Sequence, residues 1–159
     1  MTIKKTNQSD IEDLMQIRLE MLRVVNGMEQ EDDFDKALVE CSRDYFLNGE
    51  QTTVFAMDEN MIAGCASLSY ITVMPTFDHP TGKRAHLMNV YTRAEFRRRG
   101  VGKMMVQYLI EEAKSRGVTE ISLDATEMGK PLYKALGFNE NLSAMNLCFL
   151  KSEAADAIP

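Results

Sequence analysis

Seven consecutive residues carry the densest chemical signal in the chain: Arg97-Arg98-Arg99-Gly100-Val101-Gly102-Lys103. They lead into an amphipathic run over 101–116, where Val101, Met104, Met105, Tyr108, Leu109 and Ala113 share one face and Gly117 ends the pattern. The segment therefore opens a helix. The first amide N–H groups of a helix lack intrahelical partners, and the dipole is positive there. Gly100 and Gly102 carry no side chain, so an anion can approach the backbone. The arginines add charge-assisted bonds to phosphate oxygens, and these can be bidentate. The arrangement suits a pyrophosphate.

Two familiar phosphate loops do not fit. A nucleotide-binding Walker A loop needs Gly at 97 and Ser or Thr at 104, where this chain has Arg97 and Met104. A Rossmann fingerprint needs a small residue at 105 and a first strand near the N-terminus; residue 105 is Met105. The pattern Arg/Gln-x-x-Gly-x-Gly/Ala after a strand is matched by Arg97, Gly100 and Gly102. Alone, it also describes an ordinary glycine-rich helix start with solvated arginines.

The elements that must position this loop follow from patterning. Ile3–Thr6 is a short strand candidate. Ser9 and Glu12 form a capping box for an amphipathic helix carrying Ile11, Leu14, Met15, Ile17, Met21, Leu22 and Val25, which ends near Asn26-Gly27. A second helix covers Asp33–Leu47. Thr52–Met57 and Met61–Met74 read as a hairpin, and 75–82 as a loop. His86–Thr92 is a strand, with His86, Met88, Val90 and Thr92 on one face and Leu87, Asn89 and Tyr91 on the other. After helix 101–116 come strand Ile121–Ala125, a short helix Lys130–Leu136 with Pro131 near its start, and a final strand Asn146–Lys151. A further short strand around 138–140 is also open. The order β-α-α-β-β-β-α-β-α-β predicts an α/β (α+β) fold, a mixed and mostly antiparallel sheet with helices on both faces.

A second motif, Leu132-Tyr133-Lys134-Ala135-Leu136-Gly137-Phe138, follows strand 121–125. With Arg97–Lys103 in this order and spacing, the region Leu87–Phe138 resembles the GNAT superfamily of N-acetyltransferases. The stretch IKKTNQSDIEDLMQIR looks like that family's first strand and helix. The resemblance implies one domain over 1–151, with 152–159 as a tail, that moves acetyl from acetyl-CoA to a primary amine by direct attack. It implies that the backbone of Arg97, Arg98, Arg99, Gly100, Val101, Gly102 and Lys103 holds the pyrophosphate. It implies that the pantetheine arm pairs with Val90, Tyr91 and Thr92, where an amide also polarises the thioester carbonyl. Tyr133 is then the general acid for the CoA thiolate. The family's usual Asn after the fourth-helix-side strand has no direct counterpart, and Thr126 or Asn89 stands in for it. Ala94 replaces a common proline. Members are often dimers, which leaves a homodimer open.

No single base stands out for the amine proton. His86, Glu127, Asp124, Asp78, His79 and a water relay through Asn89 all remain open. The acidic run Glu29, Glu31, Asp32, Asp33 and Asp35 reads as capping and dipole residues at a helix start. Against that, the resemblance places this loop beside the acceptor, where five carboxylates would draw a cationic amine.

Composition bounds the rest. The 159 residues carry 24 acids against 18 bases, net −6. Residues 1–80 hold 6 bases and 15 acids, net −9, while 81–159 hold 12 bases and 9 acids, net +3. The basic surplus gathers between Lys83 and Lys103, which reads as one anion cradle. A net acidic chain low in aromatics argues against nucleic acid as partner. No stretch is apolar enough for a membrane span, and the polar N-terminus is no secretory signal. Cys41, Cys65 and Cys148 form no metal or disulfide pattern, so no metal and a reducing cytoplasm are expected. A non-catalytic acyl-CoA-binding domain on the same fold is the rival reading.

Overall fold

In the computed structural model, which describes residues 1–149, five strands form one sheet in simple spatial order. These are β1 (Thr2–Lys5), β2 (Gln51–Asp58), β3 (Met61–Thr72), β4 (Lys83–Thr92) and β5 (Glu120–Leu123). The first three junctions are antiparallel, and β4–β5 is parallel. That parallel step requires a crossover, which α3 (Val101–Ser115) supplies. Helices α1 (Ile11–Asn26) and α2 (Lys36–Asn48) lie between β1 and β2 in the chain, and α4 (Lys130–Ala135) follows β5.

Strand alternation divides the core into two layers. Val54, Ala56, Leu68, Ala85 and Leu87 meet Val101, Met105, Val106, Leu109 and Ala113 of α3. Phe55, Cys65 and Tyr91 point the other way, onto Leu14, Met15, Ile17 and Met21 of α1 and Phe46 of α2. Each fully buried Leu, Ile or Phe side chain contributes about 1.5–3 kcal/mol through water removal. The helices thus cover both faces, as expected from the element order.

The expected order holds as far as α4. Residues 138–140 form no strand, nor do 146–149; residues 150–151 lie outside the described residues. The Met145-Leu147-Phe149 alternation pairs with no strand among the described residues, and these side chains stay 80–95% exposed. The helix start also differs. Asn7, not Ser9, makes the capping box: its side chain accepts from Ser9 N, and the Asp10 carboxylate accepts from Asn7 N at 3.0 Å. Asp10 is buried and also takes Lys4 Nζ at 2.6 Å, so this pairing ties β1 to α1.

Candidate active site

The cradle forms because the chain turns twice after β4. A 3₁₀ turn, Ala94–Phe96, buries Phe96, and Arg97 Nε then donates back to the Thr92 carbonyl at 3.0 Å. Arg98 (φ +62°) and Gly100 (φ +77°) are left-handed, a conformation that turns successive N–H groups to one side. Arg97 N donates to Ala94 O and Met104 N to Gly100 O. Between them, the N–H groups of residues 98–103 reach no acceptor among the described residues. Nothing lies within 4 Å of where a Gly100 Cβ would stand, so the approach is open. A Cβ at Gly102 would stand 3.4 Å from Leu132 Cδ2, which puts α4 beside the start of α3. Six free amides with cationic side chains fit a pyrophosphate in donor chemistry.

The seven bases of 83–103 do not all contribute. Lys83 and Arg84 lie at the far end of β4, where Arg84 pairs with Glu120 at 3.2 Å. Arg93 is committed to Glu20, and Arg99 stacks on Phe96 and faces Asp58 at 3.6 Å. Arg97, Arg98 and Lys103 make no ion pair among the described residues. The cradle is therefore narrower than the charge count predicts, because strand residues spread their charges over the strand's full length.

β4 and β5 pair only from Arg84–Glu120 to Leu87–Leu123. Beyond Leu87 the β5 side of β4 is bare. Arg93 N donates to Ala63 O, so by alternation the Tyr91 N–H also faces β3, while those of Val90 and Thr92 face the bare side. The expected trio Val90, Tyr91 and Thr92 is thus divided: two amides are open and one is taken. The Tyr91 side chain is buried and donates to Glu20 Oε1 at 3.1 Å.

A bulge breaks the expected facing of β4. Pairing passes from Ser67–Met88 to Cys65–Tyr91, so β4 carries one extra residue there, and Asn89 takes φ +57°. Leu87 and Val90 both face α3, whereas Asn89 and Tyr91 face α1 and α2. Asn89 is pinned by Arg18 Nη1, which donates to its Oδ1 at 3.1 Å, and by its own donation to Ser67 Oγ at 3.2 Å.

Tyr133 sits on α4 with its ring edge-on to Phe138, centroids 5.8 Å apart. Its hydroxyl has no protein partner among the described residues, and burial pushes its phenol above the ordinary value. Thr126 lies in the turn before α4, where its Oγ1 accepts from Gly129 N at 3.2 Å.

The expected bases are dispersed. His86 Nδ1 lies 2.9 Å from Ser122 Oγ, and its Nε2 is 3.8 Å from Asp124. Glu127 pairs with Lys130 at 2.6 Å. His79 bonds Thr119 and faces Glu120 at the opposite end of β5, and Asp78 is exposed in the preceding loop. In the acidic run, Asp35 caps α2 by accepting from Leu38 N at 3.0 Å, and Asp32 accepts from Glu29 N at 2.8 Å.

Sequence reasoning missed Arg18. A cleft of about 210 Å³ lies between α1, α2 and the bulge, lined by Arg18, Leu38, Cys41, Tyr45, Met88 and Asn89 among others. None of the five acids of 29–35 lines it. The signal was present: Arg18 falls four residues after Leu14 and three before Met21, on the apolar face of α1, where a base is out of place.

A helix-covered sheet that parts beside an amide-lined helix start leaves a gap with donors for an extended, phosphate-bearing group. The chain belongs to the Acetyltransferase (GNAT) family, whose model matches residues 11–138. It is therefore an acyltransferase. A predicted acetyltransferase from Clostridium acetobutylicum, solved with acetyl-CoA, is 30% identical with TM-score 0.79, over 92% of this chain and 95% of that one. The glucosamine 6-phosphate N-acetyltransferase of Arabidopsis thaliana is 25% identical over 125 residues, 79% of this chain and 81% of the relative. A shorter match, 39% over 59 residues, is to the [ribosomal protein bS18]-alanine N-acetyltransferase of Salmonella typhimurium; it spans 35% of this chain and 40% of the relative.

Proposed function

We propose that the chain transfers the acetyl group of acetyl-CoA to a primary amine by direct attack, without an acetylated enzyme. The observation that carries this reading is one line of free donors: the Val90 and Thr92 amides on the bare side of β4, then the amides of residues 98–103. Arg97, Arg98, Arg99, Gly100, Val101, Gly102 and Lys103 hold the pyrophosphate, Arg97 through its side chain and Arg99 through its amide. Val90 and Thr92 pair with the pantetheine arm, as a further strand would. The bulge at Asn89 directs the thioester toward the α1–α2 face of the sheet.

Chemistry follows from that placement. The amine must be neutral to attack, and a lysine-like amine near pKa 10.4 is largely protonated at neutral pH. The cleft walls hold no carboxylate or imidazole among the described residues, which supports loss of that proton to water. Nitrogen attacks the carbonyl carbon, the C–S bond breaks, the Tyr133 phenol protonates the departing thiolate, and the proton shed by the acylated nitrogen passes through solvent to restore the phenol. Burial keeps that phenol in its proton-bearing form. A screen of primary amines with acetyl-CoA, read by thiol release and product mass, tests the reading. Acetylated amine with stoichiometric CoA is the expected result. Tight acetyl-CoA binding without release from any amine would refute it.

A further inference from the structure

Among the described residues, Arg18 has no counter-ion. Other part-buried arginines are satisfied: Arg93 holds Glu20 at 2.7 Å, Arg84 holds Glu120 at 3.2 Å, and Arg23 donates to the carbonyls of both Glu29 and Asp32. Arg18 meets no carboxylate within ion-pair distance among the described residues; its protein bond is the single donation to Asn89 Oδ1. Burying a guanidinium without a partner is unfavourable, so such a group marks a site that something else completes.

The donors are available. A guanidinium carries five N–H groups, and the protein uses one of them here. Only Arg84 Nε is a fully buried side-chain nitrogen or oxygen without a partner among the described residues, so the remaining Arg18 donors reach solvent through the cleft they line. Of the other polar groups lining the cleft, the Tyr45 hydroxyl is engaged with Ser69 Oγ at 2.6 Å and Ser67 Oγ with Thr53 at 2.8 Å, while the Ser42 hydroxyl makes no hydrogen bond among the described residues. Leu38, Phe46 and Met88 supply the apolar wall. The cleft thus offers one cation, no anion and about 210 Å³. That space suits a small metabolite better than a folded chain.

We infer that the acceptor is a small primary amine that also carries an anionic group, a carboxylate or a phosphate, which Arg18 binds while the amine lies at the β4 bulge. This rests on the proposed acetyl transfer and narrows its substrate class. Asn89 sets the distance, because it holds the guanidinium next to the point where β4 turns the thioester inward. The acidic loop at 29–35 plays no part in this recognition.

Matched amine pairs test it, with acetyl-CoA saturating and rates referred to the unprotonated amine. β-Alanine against β-alaninamide reads the carboxylate, and phosphoethanolamine against ethanolamine reads the phosphate. The expected result is a preference of about tenfold or more in kcat/KM for the anionic member of one pair, the worth of one charge-assisted bond. That ratio falls to near unity in Arg18→Met and stays intermediate in Arg18→Lys, with the acetyl-CoA KM unchanged. A purely structural Arg18 would lower both members of a pair alike and leave the ratio intact, which overturns the inference. Equal turnover of neutral and anionic amines by the unaltered enzyme also overturns it, while leaving acetyl transfer standing. No turnover of any amine despite acetyl-CoA binding removes the transfer reading and this inference with it.

Discussion

Arg93 grips Glu20 with both ends of its fork, Nε to Oε1 at 2.9 Å and Nη2 to Oε2 at 2.7 Å. Its Nη1 donates to the Ile62 carbonyl at 2.9 Å, and Tyr91 adds a bond to the same carboxylate. One ion pair thereby ties α1 to β3 and to the end of β4, just before the cradle. Arg93 holds the Glu20 carboxyl below its ordinary value. Such a group stabilises the fold when ionised, and the contribution is lost as pH falls through its folded-state pKa. Glu20→Gln is expected to cost about 1–2 kcal/mol near neutral pH, discounted for partial solvent screening. Urea unfolding at descending pH should show the gap between variant and parent shrinking below the ordinary glutamate range near about 4.3. A gap that widened on acidification would contradict the assignment.

The bulge makes a different demand at Asn89. Its φ of +57° suits Gly or Asn and strains a β-branched residue. Asn89→Val should lose about 2–3 kcal/mol, combining backbone strain with the lost bonds to Arg18 and Ser67. Asn89→Gly should lose only the second part. Equal losses in thermal or chemical denaturation would show that the backbone conformation contributes nothing.

Gly100 and Gly27 allow strain to be separated from function, since both are left-handed with open space around a built Cβ. Alanine at either should cost about 1 kcal/mol of stability. Only Gly100→Ala should raise the acetyl-CoA KM, by about tenfold, through the place its methyl takes beside the free amides. Parallel KM values in the two variants would remove the glycine from the cradle.

Tyr133→Phe keeps the ring that packs on Phe138 and removes a hydroxyl with no partner among the described residues, so stability should hold. Turnover should fall by about 100-fold with acetyl-CoA binding intact. The parent should lose activity as the phenol ionises, above the ordinary tyrosine value of about 10, and the variant should lack that limb. Superimposable pH profiles would take Tyr133 out of proton transfer.

How much was legible in the sequence depended on whether a feature is local. Gly100 sits at a left-handed turn that a single residue encodes and Gly102 lies in the first turn of α3, so the glycine loop was readable from spacing. The capping box was misplaced because Asn7–Asp10 and Ser9–Glu12 satisfy the same pattern; the buried contact of Asp10 with Lys4 decides between them. Strict alternation failed in β4, since an extra residue opposite Ala66 is invisible without the partner strand. The strand expected at 146–151 does not form over 146–149: alternation encodes which face a side chain takes, not whether a neighbouring strand pairs with it. Arg18 and Asn89 are 71 positions apart in the chain, so no local pattern joins them.

The parting of β4 from β5 leaves neighbouring amides in opposite circumstances. Tyr91 N–H lies within the ladder to β3, while Val90 and Thr92, one residue to either side, offer theirs to solvent. Deuterium should therefore label positions 90 and 92 far faster than 91 in the free protein. If the acyl donor lies along that margin, its arrival slows 90 and 92 and leaves 91 unchanged. The backbone would then carry its own occupancy gauge, readable residue by residue without a fluorophore, an acceptor or a single turnover.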